Sequence, residues 1–300
     1  MQRRQGVRPV TNRVGALDIG GTHVTAGRVD IESATVELDT RVRIAFPSTG
    51  RPALLERIVE AAAAVATPEV RRFGVAVPGP FDYDAGISRI SHKLPGLYGV
   101  DLRRELAAAV DLTGDAISFL NDAEAFLLGE WWAGAARDHT RAVGITLGTG
   151  LGSAFLERGR IVHSGPRVPP GGELFRLAFR GAPVEETISR RALLAGYDAG
   201  SESGIDVEQV AARGRAGEDR ERLVFRKLAA DLAEFLGPTL EAFAPTCLVV
   251  GGSIARAWDV LEPALRERLA RFDGLVVTRA ANVDDAPLLG AARHTAMQKV

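Results

Sequence analysis

The feature that most constrains this chain is a strand, glycine turn and strand unit that occurs twice along the sequence. In each copy a short apolar strand enters a glycine-rich turn and continues into a second strand. The first copy comprises 14–19, Gly20-Gly21-Thr22 and 23–29, and the second comprises 142–147, 148–152 and 153–156. We interpret the Gly20-Gly21 turn as a tight hairpin that only residues without a Cβ can form. The recurrence indicates a duplicated unit.

Helices and further strands follow each hairpin, and this mixture predicts an α/β fold. The other predicted strands lie at 35–46, 73–77, 117–120, 161–162, 247–250 and 275–278. The predicted helices lie at 52–66, 102–110, 123–133, 185–196, 206–214, 219–243, 254–271 and 287–297. The stretch 163–181 is rich in Pro, Gly and Arg, has little periodicity and is interpreted as a functional loop.

Two hairpin-led halves predict two lobes with a ligand cleft between them. We expect the N-terminal lobe to cover 1–120, with 287–300 returning to it, and the C-terminal lobe to cover 121–286. The long helix at 219–243 has apolar residues at helical spacing, which suits either a core or an interface.

Composition excludes several classes of protein. The formal net charge is -1, so no basic excess points to a nucleic-acid partner. Cys247 is the single cysteine, which excludes an internal disulfide framework and a multi-cysteine metal site. The arginine-rich N-terminus lacks the apolar centre of a signal peptide, and no apolar run reaches the roughly 20 residues that span a bilayer. We therefore expect a cytoplasmic protein with no membrane partner.

Three glycine turns follow predicted strands and carry groups suited to phosphate. They comprise Asp18, Gly20, Gly21 and Thr22; Gly148, Thr149, Gly150 and Gly152; and Gly251, Gly252 and Ser253. Glycine turns let backbone N–H groups approach phosphate oxygens, and the Thr22 and Thr149 hydroxyls add donors. The Asp18 carboxylate suits Mg²⁺, directly or through water. One such turn alone is also typical of a plain hairpin, and none is a Walker A loop, because no Gly-Lys-Ser/Thr follows.

With these motifs the chain resembles the ROK family (repressors, open reading frames and kinases), within the superfamily of sugar kinases, Hsp70 and actin. The matching segments occur in the family's order across nearly the whole chain. They are Asp18-Ile19-Gly20-Gly21-Thr22, Val77-Pro78-Gly79-Pro80, Leu94-Pro95-Gly96, Asn121-Asp122-Ala123, 147–152, Gly172-Glu173, Val184-Glu185 and Val250-Gly251-Gly252-Ser253-Ile254. Their order and spacing together make a specific signal.

The resemblance implies a two-lobed ribonuclease-H-like (actin-like ATPase) fold, a sugar kinase that uses ATP and Mg²⁺, and a homodimer. ATP would lie with its phosphates on the two hairpins and its adenosine near Gly251-Gly252. Asp122 would take the proton from a substrate hydroxyl that attacks the γ-phosphate in line. From the residues alone, Asn121-Asp122 before a helical run is also typical of a helix N-cap. The two roles are compatible if Asn121 caps the helix.

The resemblance also assigns residues to a sugar-like substrate. They are Pro78, Gly79, Lys93, Gly96, Asn121, Asp122, Glu173, Arg176 and Glu185. A carboxylate accepts two hydroxyl groups, so Glu173 and Glu185 suit a polyol. Glutamate is also common on surfaces, so both are equally typical of exposed acids.

Three departures from the family pattern bear on the substrate and on metal. Lys93 stands where hexose-specific members have asparagine, and Arg176 stands where many members have histidine. We hypothesise an acidic or unusual substrate such as a sugar acid, an amino-sugar derivative or a cyclitol. In the alternative, each cation pairs with Glu173 or Glu185 and reshapes the pocket. The family's cysteine-rich zinc loop has no cysteine here, so we predict no zinc.

Other functions stay open at this level. A transcriptional repressor of the family needs an N-terminal helix-turn-helix, and only about 13 residues precede the first strand. A sugar-binding sensor that has lost catalysis is opposed by the presence of Asp18 and Asp122 but kept open by the altered pocket. A phosphate-handling ATPase without an acceptor would differ from a kinase in showing no stimulation of ATP turnover by a polyol.

Overall fold

The computed structural model describes residues 12–47, 51–91, 94–197 and 204–298. The chain divides into two compact units. The N-terminal unit ends at Asn121 and includes the chain again from Ala291, and the second unit is Asp122–Gly290. The lobe boundaries expected from the sequence, after residue 120 and before residue 287, stay a prediction of domain organisation.

The N-terminal unit contains a six-stranded mixed sheet in the order β3-β2-β1-β5-β8, with β4 also paired to β2. Its strands, including the small hairpin β6–β7, are β1 (Arg13–Ile19), β2 (His23–Asp30), β3 (Thr35–Val36), β4 (Val42–Ala45), β5 (Phe73–Val77), β6 (Phe81–Asp82), β7 (Ile87–Ser88) and β8 (Ile117–Asn121). Its complete helices are α1 (Arg51–Val65) and α2 (Leu102–Ala109). Strands β1, β5 and β8 run parallel, so their carboxyl ends share one edge of the sheet.

The burial of strand β5 indicates that both faces of the sheet are covered. All five of its residues are buried, as expected for a central parallel strand covered on both faces. Its first residue, Phe73, lies against Gly15 on β1, where an added Cβ would come within 2.3 Å of the phenyl ring. Leu54 and Ile58 of α1 and Leu102 and Leu106 of α2 join this core.

The prediction of one long strand over 35–46 is wrong, because the chain forms β3, a 3₁₀ turn at Leu38–Thr40 and then β4. The buried Thr40 hydroxyl accepts a hydrogen bond from the Arg28 N–H (2.9 Å) and donates to the Glu37 carbonyl (2.7 Å). A threonine hydroxyl that satisfies nearby backbone groups competes with the ladder of a strand. Leu38 therefore points outward and is 78% exposed.

The second unit repeats the same sheet plan, in the order β11-β10-β9-β14-β15. Its strands, including the small hairpin β12–β13, are β9 (Arg141–Leu147), β10 (Leu151–Glu157), β11 (Arg160–Ile161), β12 (Ala178–Phe179), β13 (Ala182–Pro183), β14 (Cys247–Gly251) and β15 (Val276–Arg279). In both units an antiparallel hairpin is followed by two parallel strands, which is the recurrence that the glycine turns predicted.

The helices of the second unit cover this sheet. They are α3 (Asp122–Ala133), α4 (Arg190–Tyr197), α5 (Val207–Ala216), α6 (Asp219–Phe243) and α7 (Trp258–Leu269), and α8 (Ala286–Met297) then carries the chain into the N-terminal unit. Most of the apolar residues of α6 are buried in the unit's own core. Among the helices of the described ranges, none combines the length and apolarity needed to cross a membrane.

Two helices begin later than the sequence indicated. The region 185–196 starts with a 3₁₀ turn, and α4 begins at Arg190 because the Ser189 hydroxyl accepts a hydrogen bond from the Ala192 N–H (3.2 Å) and so caps it. The region 254–271 likewise opens with the 3₁₀ turn Ser253–Ala257, an arrangement frequent at helix N-termini, before α7. Both changes affect segments that adjoin the candidate site.

Helix α3 is fixed at its carboxyl end by a fully buried acid. The Glu130 carboxylate accepts hydrogen bonds from the N–H groups of Ala135 (2.7 Å), Ala281 (3.0 Å) and Asn282 (2.7 Å). Three backbone donors satisfy a charge that would otherwise be costly to bury. The contact ties α3 to the segment between β15 and α8, and thereby restrains the helix that begins at Asp122.

Candidate functional site

The first hairpin, β1 and β2 with their turn, places Asp18 at the end of β1 and Gly20, Gly21 and Thr22 in the turn. The register pairs Asp18 with Thr25, and the Gly20 N–H donates to the His23 carbonyl at 2.9 Å. Gly21 and Thr22 are exposed and Asp18 is half-buried. The turn therefore presents backbone and hydroxyl donors beside a carboxylate.

The prediction that only residues without a Cβ can form the Gly20-Gly21 turn is wrong. Neither glycine has a positive φ, and a Cβ at Gly21 would meet no atom within 4 Å. At Gly20 the nearest atom to a Cβ would be the His23 carbonyl oxygen at 3.4 Å, an ordinary contact. The hairpin itself does not require glycine, and the open space beside the backbone suits close approach of a ligand.

Three further predicted site residues lie along the same edge of the sheet. Pro78 directly follows β5 and is buried, Gly79 precedes the cis peptide to Pro80, and Asn121 ends β8. The carboxyl ends of parallel strands are where α/β sheets place ligands. The structure thus brings Asp18, Pro78 and Asn121 to one edge of the N-terminal unit.

Asn121 is held by a short relay of hydrogen bonds. Its Nδ2 donates to the Tyr83 hydroxyl at 3.2 Å, and that hydroxyl donates to the Val77 carbonyl at 3.2 Å. A hydroxyl has one proton, so its donation to a carbonyl obliges it to accept from the amide nitrogen. Tyr83 therefore fixes the orientation of the Asn121 side-chain amide, with its nitrogen toward the Tyr83 hydroxyl. Tyr83 belongs to none of the sequence motifs and was not among the predicted site residues.

The remaining residues of the predicted substrate set in this unit are Gly96 and Lys93. Gly96 lies in the 3₁₀ turn Pro95–Leu97, whose Leu97 is fully buried. Lys93 lies outside the described residues.

Asp122 is the first residue of α3 and directly follows β8. Its Oδ1 accepts a hydrogen bond from the Ala123 N–H at 3.0 Å. A helix N-terminus carries partial positive charge, which favours a carboxylate there. Asn121, which the sequence offered as the helix cap if Asp122 acts as the base, donates through its Nδ2 to the Tyr83 hydroxyl.

The second hairpin, β9 and β10 with their turn, lies beside the start of α3. A Cβ on Gly152 would come within 3.2 Å of the Ala123 Cβ and 2.3 Å of the Thr146 hydroxyl oxygen. The Gly148 N–H donates to the Gly150 carbonyl at 3.0 Å, and Thr149 at the tip is exposed. The turn therefore adjoins the residue that follows Asp122.

The third glycine turn packs on the second hairpin. Gly252 has a φ of +81°, and a Cβ there would lie 2.4 Å from the Leu147 carbonyl oxygen, so glycine is required. Gly251 likewise excludes larger residues, because an added Cβ would lie 2.5 Å from the Phe126 ring. Ser253 is exposed, and its hydroxyl oxygen would lie 3.4 Å from a Cβ on Gly148. These two turns thus share one edge of the sheet.

The Glu185 side chain contacts the second hairpin, so this residue is not a free surface acid. Its Oε1 accepts a hydrogen bond from the Leu151 N–H at 2.8 Å, and a Cβ on Gly150 would lie 2.2 Å from the same oxygen. Five residues later in the chain, the Arg190 N–H donates to the Gly148 carbonyl at 2.8 Å. The structure therefore joins the predicted substrate acid to the predicted phosphate turn.

Glu173 is carried by a loop fixed to β10. The Ser153 hydroxyl donates to the Gly172 carbonyl (2.6 Å) and accepts from the Leu174 N–H (2.9 Å), on either side of Glu173. Gly172 has a φ of +70°, a conformation that favours glycine. Arg176 donates to the Glu173 carboxylate, as the pairing alternative predicted for this cation.

A histidine and glutamate pair also links this loop to α3. His163 Nδ1 lies 3.0 Å from the Glu124 carboxylate, and this hydrogen bond raises the pKa of His163 above its ordinary value. The sequence gave His163 no role, since isolated histidines without metal spacing are usually structural. Among the described residues no group of three or more His, Cys, Asp or Glu side chains is arranged to hold a metal ion.

The residues present nevertheless fit Mg²⁺ that arrives with a nucleotide. Magnesium in kinases is bound through one or two carboxylates, phosphate oxygens and water, and needs no protein cage. Asp18 provides one half-buried carboxylate next to the exposed Gly21-Thr22 turn. A structural zinc does not fit the loop 163–181, which has no cysteine.

Comparison with known proteins identifies the family. The sequence model described as "ROK family" matches residues 14–296. A glucokinase from Thermotoga maritima is 32% identical, with 92% of this chain and 95% of that protein aligned. An N-acetylmannosamine kinase from Escherichia coli is 27% identical, with 92% of this chain and 96% of that protein aligned.

A solved structure supports the fold. The ROK family glucokinase from Streptomyces griseus, in complex with glucose and AMPPNP, superposes with a TM-score of 0.75 at 23% identity and covers 95% of this chain. The predicted two-lobed, actin-like fold class is thereby confirmed. The two relatives named above, a glucokinase and an N-acetylmannosamine kinase, are sugar kinases, and the chain belongs to the ROK family.

Proposed function

We propose that this ROK-family sugar kinase transfers the γ-phosphate of ATP to a hydroxyl group of a hexose or an N-acetylated hexosamine, with Asp122 as the general base. The observation that carries the proposal is the position of Asp122 at the start of α3, beside a glycine hairpin that meets Glu185. A base and a phosphate-binding turn on adjoining rigid elements are what phosphoryl transfer requires. The kinase relatives do not favour the alternative of a catalytically silent sugar-binding sensor or regulator.

Asp122 would accept the proton of the attacking hydroxyl as the oxygen forms its bond to phosphorus. The reaction needs little covalent help from the protein, so positioning and charge stabilisation account for most of the rate. The Ala123 N–H bond and the buried Glu130 contacts restrain the carboxylate and its helix. The rigidity of α3 thus serves the alignment of the base.

ATP would be bound by backbone donors of both hairpins, through Gly20, Gly21 and Thr22 and through 148–152, with the nucleoside near Gly251, Gly252 and Ser253. The AMPPNP complex of the Streptomyces griseus relative, an ATP analogue bound to that protein, supports ATP as donor here. Mg²⁺ bound near Asp18 would supply neutralisation of phosphate charge. The open space around Gly21 suits the close approach of phosphate oxygens to the backbone.

The acceptor would be bound by Asn121, Glu173 and Glu185, with Pro78, Gly79, Lys93, Gly96 and Arg176 shaping the site. Because Arg176 is already paired with Glu173, this cation gives no net attraction for an acidic substrate. The names of the relatives, glucokinase and N-acetylmannosamine kinase, also favour neutral sugars. We also propose a homodimer, which the family resemblance implies, and a cytoplasmic location, which the sequence pattern predicts.

The proposal is tested by ADP release with Mg-ATP over a panel of hexoses, N-acetylated amino sugars, sugar acids and cyclitols. We expect turnover with one neutral class. Asp122→Asn keeps the size and removes basicity, so kcat should fall by at least about 100-fold with sugar binding retained. The matched control is Asp273→Asn, at an exposed position between α7 and β15. Near-normal turnover of Asp122→Asn would refute the base, and binding without turnover by the wild type would favour a sensor.

A further inference from the structure

Glu185 makes a contact that a substrate ligand alone would not need. Its carboxylate accepts a hydrogen bond from Leu151, the first residue of β10, and lies against Gly150 in the turn. The close approach is possible because residue 150 is glycine: a Cβ there would lie 2.2 Å from the carboxylate oxygen. The side chain therefore reaches the backbone of the second hairpin directly.

The same segment of chain holds the other side of this turn. The Arg190 N–H donates to the Gly148 carbonyl at 2.8 Å, so residues 185 and 190 contact the turn at both of its ends. Between them, Ile188 is fully buried in the core of the unit, as is Val184 just before Glu185. The backbone beneath Glu185 is thus anchored, while its side chain is only half-buried and Thr149 at the tip of the turn is exposed.

We propose that Glu185 couples the binding of the sugar to the binding of the nucleotide. The inference rests on the proposed function, in which Glu185 binds a sugar hydroxyl and the second hairpin binds phosphate. A carboxylate has two oxygens, so one can accept from Leu151 while the other accepts from the sugar. A sugar that fixes the carboxylate also fixes the turn, and the nucleotide then binds to a turn that is already ordered.

Such coupling is reciprocal by thermodynamic linkage. If the sugar tightens nucleotide binding by some factor, the nucleotide tightens sugar binding by the same factor. Glu173 provides the contrast. It belongs to the same proposed sugar-binding set, but its carboxylate pairs with Arg176, and its loop is fixed to β10 through Ser153 rather than to the glycine turn. Glu173 should contribute affinity without coupling.

The test is to measure the Kd of AMPPNP by calorimetry, with and without saturating glucose or the best acceptor of the panel. Sugar concentrations are scaled to the Kd of each variant, and folding is checked by circular dichroism. The coupling ratio is the Kd of AMPPNP without sugar divided by its Kd with sugar. In the wild type this ratio should be about five or more. Glu185→Ala should reduce the ratio to about one, whereas Glu173→Ala should weaken sugar binding and keep the wild-type ratio. Gly150→Ala, which displaces the Glu185 carboxylate, should also lower the ratio.

The outcomes separate this inference from the function on which it rests. If the wild type binds sugar and nucleotide and Glu185→Ala keeps the full ratio, the coupling role is overturned and the kinase proposal stands. Equal loss of the ratio in Glu185→Ala and Glu173→Ala would also overturn it, since the contact with the hairpin would then be irrelevant. Absence of sugar binding and turnover in the wild type would overturn the proposed function and the inference with it.

Discussion

Single side chains in this protein often satisfy several backbone groups at once. Glu130 accepts from three N–H groups, and Ser153 both donates to and accepts from the loop that carries Glu173. Tyr83 connects the Asn121 amide to the Val77 carbonyl. Because a buried polar group left unsatisfied is costly, each such residue determines where a segment can lie. At the residue scale, positioning of the site depends on these few polar contacts.

His163 offers a pH-dependent measurement of one such contact. The hydrogen bond to Glu124 raises its pKa above the ordinary 6.5, against the opposing effect of burial. A raised pKa in the folded state means that the pair stabilises fully below about pH 6.5 and loses its contribution as pH rises through the folded value. We expect NMR titration of the wild type to place this pKa above 6.5, and Glu124→Gln to return it towards 6.5.

The control for that titration is Glu157→Gln, which removes an acid paired with Arg167 and not with His163. This variant should leave the His163 titration unchanged. An unshifted pKa in the wild type, or the same shift in both variants, would mean that the pairing with Glu124 is absent in solution.

At the scale of elements, the β12–β13 hairpin lies in sequence between Glu173 and Glu185 and is attached to α6. Its turn residues, Arg180 and Gly181, both have a positive φ, of +52° and +82°. Arg180 Nη1 donates to the nearly buried Asp231 at 2.8 Å, and the same guanidinium pairs with Glu234. These ion pairs of Arg180, together with the edge-on contact of Phe179 with Phe235, fix the hairpin to α6.

Loss of this attachment should loosen the segment that carries both predicted sugar acids. We expect Arg180→Gln to raise the KM for the sugar several-fold, leave kcat nearly unchanged and speed amide exchange at 178–183. The loss in stability should be small, since Arg180 is half exposed and Asp231 keeps its pair with Lys227. Steady-state kinetics and hydrogen exchange by mass spectrometry measure these effects.

The matched variant is Arg215→Gln, which likewise breaks pairs with two carboxylates, Glu208 and Asp259. It should cost similar stability without changing the KM for the sugar or exchange at 178–183. If both arginine variants alter the KM equally, the hairpin has no special part in positioning the acids.

At the scale of the whole molecule, the buried apolar side chains of the described ranges form two separate cores. One contains residues of the second unit such as Phe155, Phe225 and Phe243, and the other contains residues of the N-terminal unit such as Leu17 and Phe73. Each core is built on its own mixed sheet, so each has what a cooperative folding unit needs. We propose that the two units open independently.

Truncation within one core tests this proposal. Phe225 is fully buried in α6, and Phe225→Ala should cost about 3–5 kcal/mol. We expect faster amide exchange in α6 and β14, with exchange in β1 and β5 unchanged. Phe73→Ala should produce the reverse pattern. Faster exchange throughout the protein in either variant would indicate a single cooperative unit.

Local pattern determined much of this fold. The apolar runs that became β1, β5, β9 and β14 are recognisable because their burial depends on composition and spacing along a few neighbouring residues. Helix α6 has the bounds that its periodicity predicted. The alternation of apolar residues predicted one strand over 35–46, and this prediction is wrong. The Thr40 hydroxyl is hydrogen-bonded to the backbone N–H of Arg28, twelve residues away, and this contact interrupts the strand.

The sequence by itself determined the order of strands and turns, the position of Asn121-Asp122 between β8 and α3, and the family resemblance that all of these carry. Only the tertiary structure decided which partner each polar residue has: Tyr83 for Asn121, the second hairpin for Glu185, and Asp231 for Arg180. The physical reason is that backbone pattern depends on near neighbours, whereas these contacts join residues 34 to 51 positions apart. Their formation depends on how the sheet edges and helices bring distant segments together.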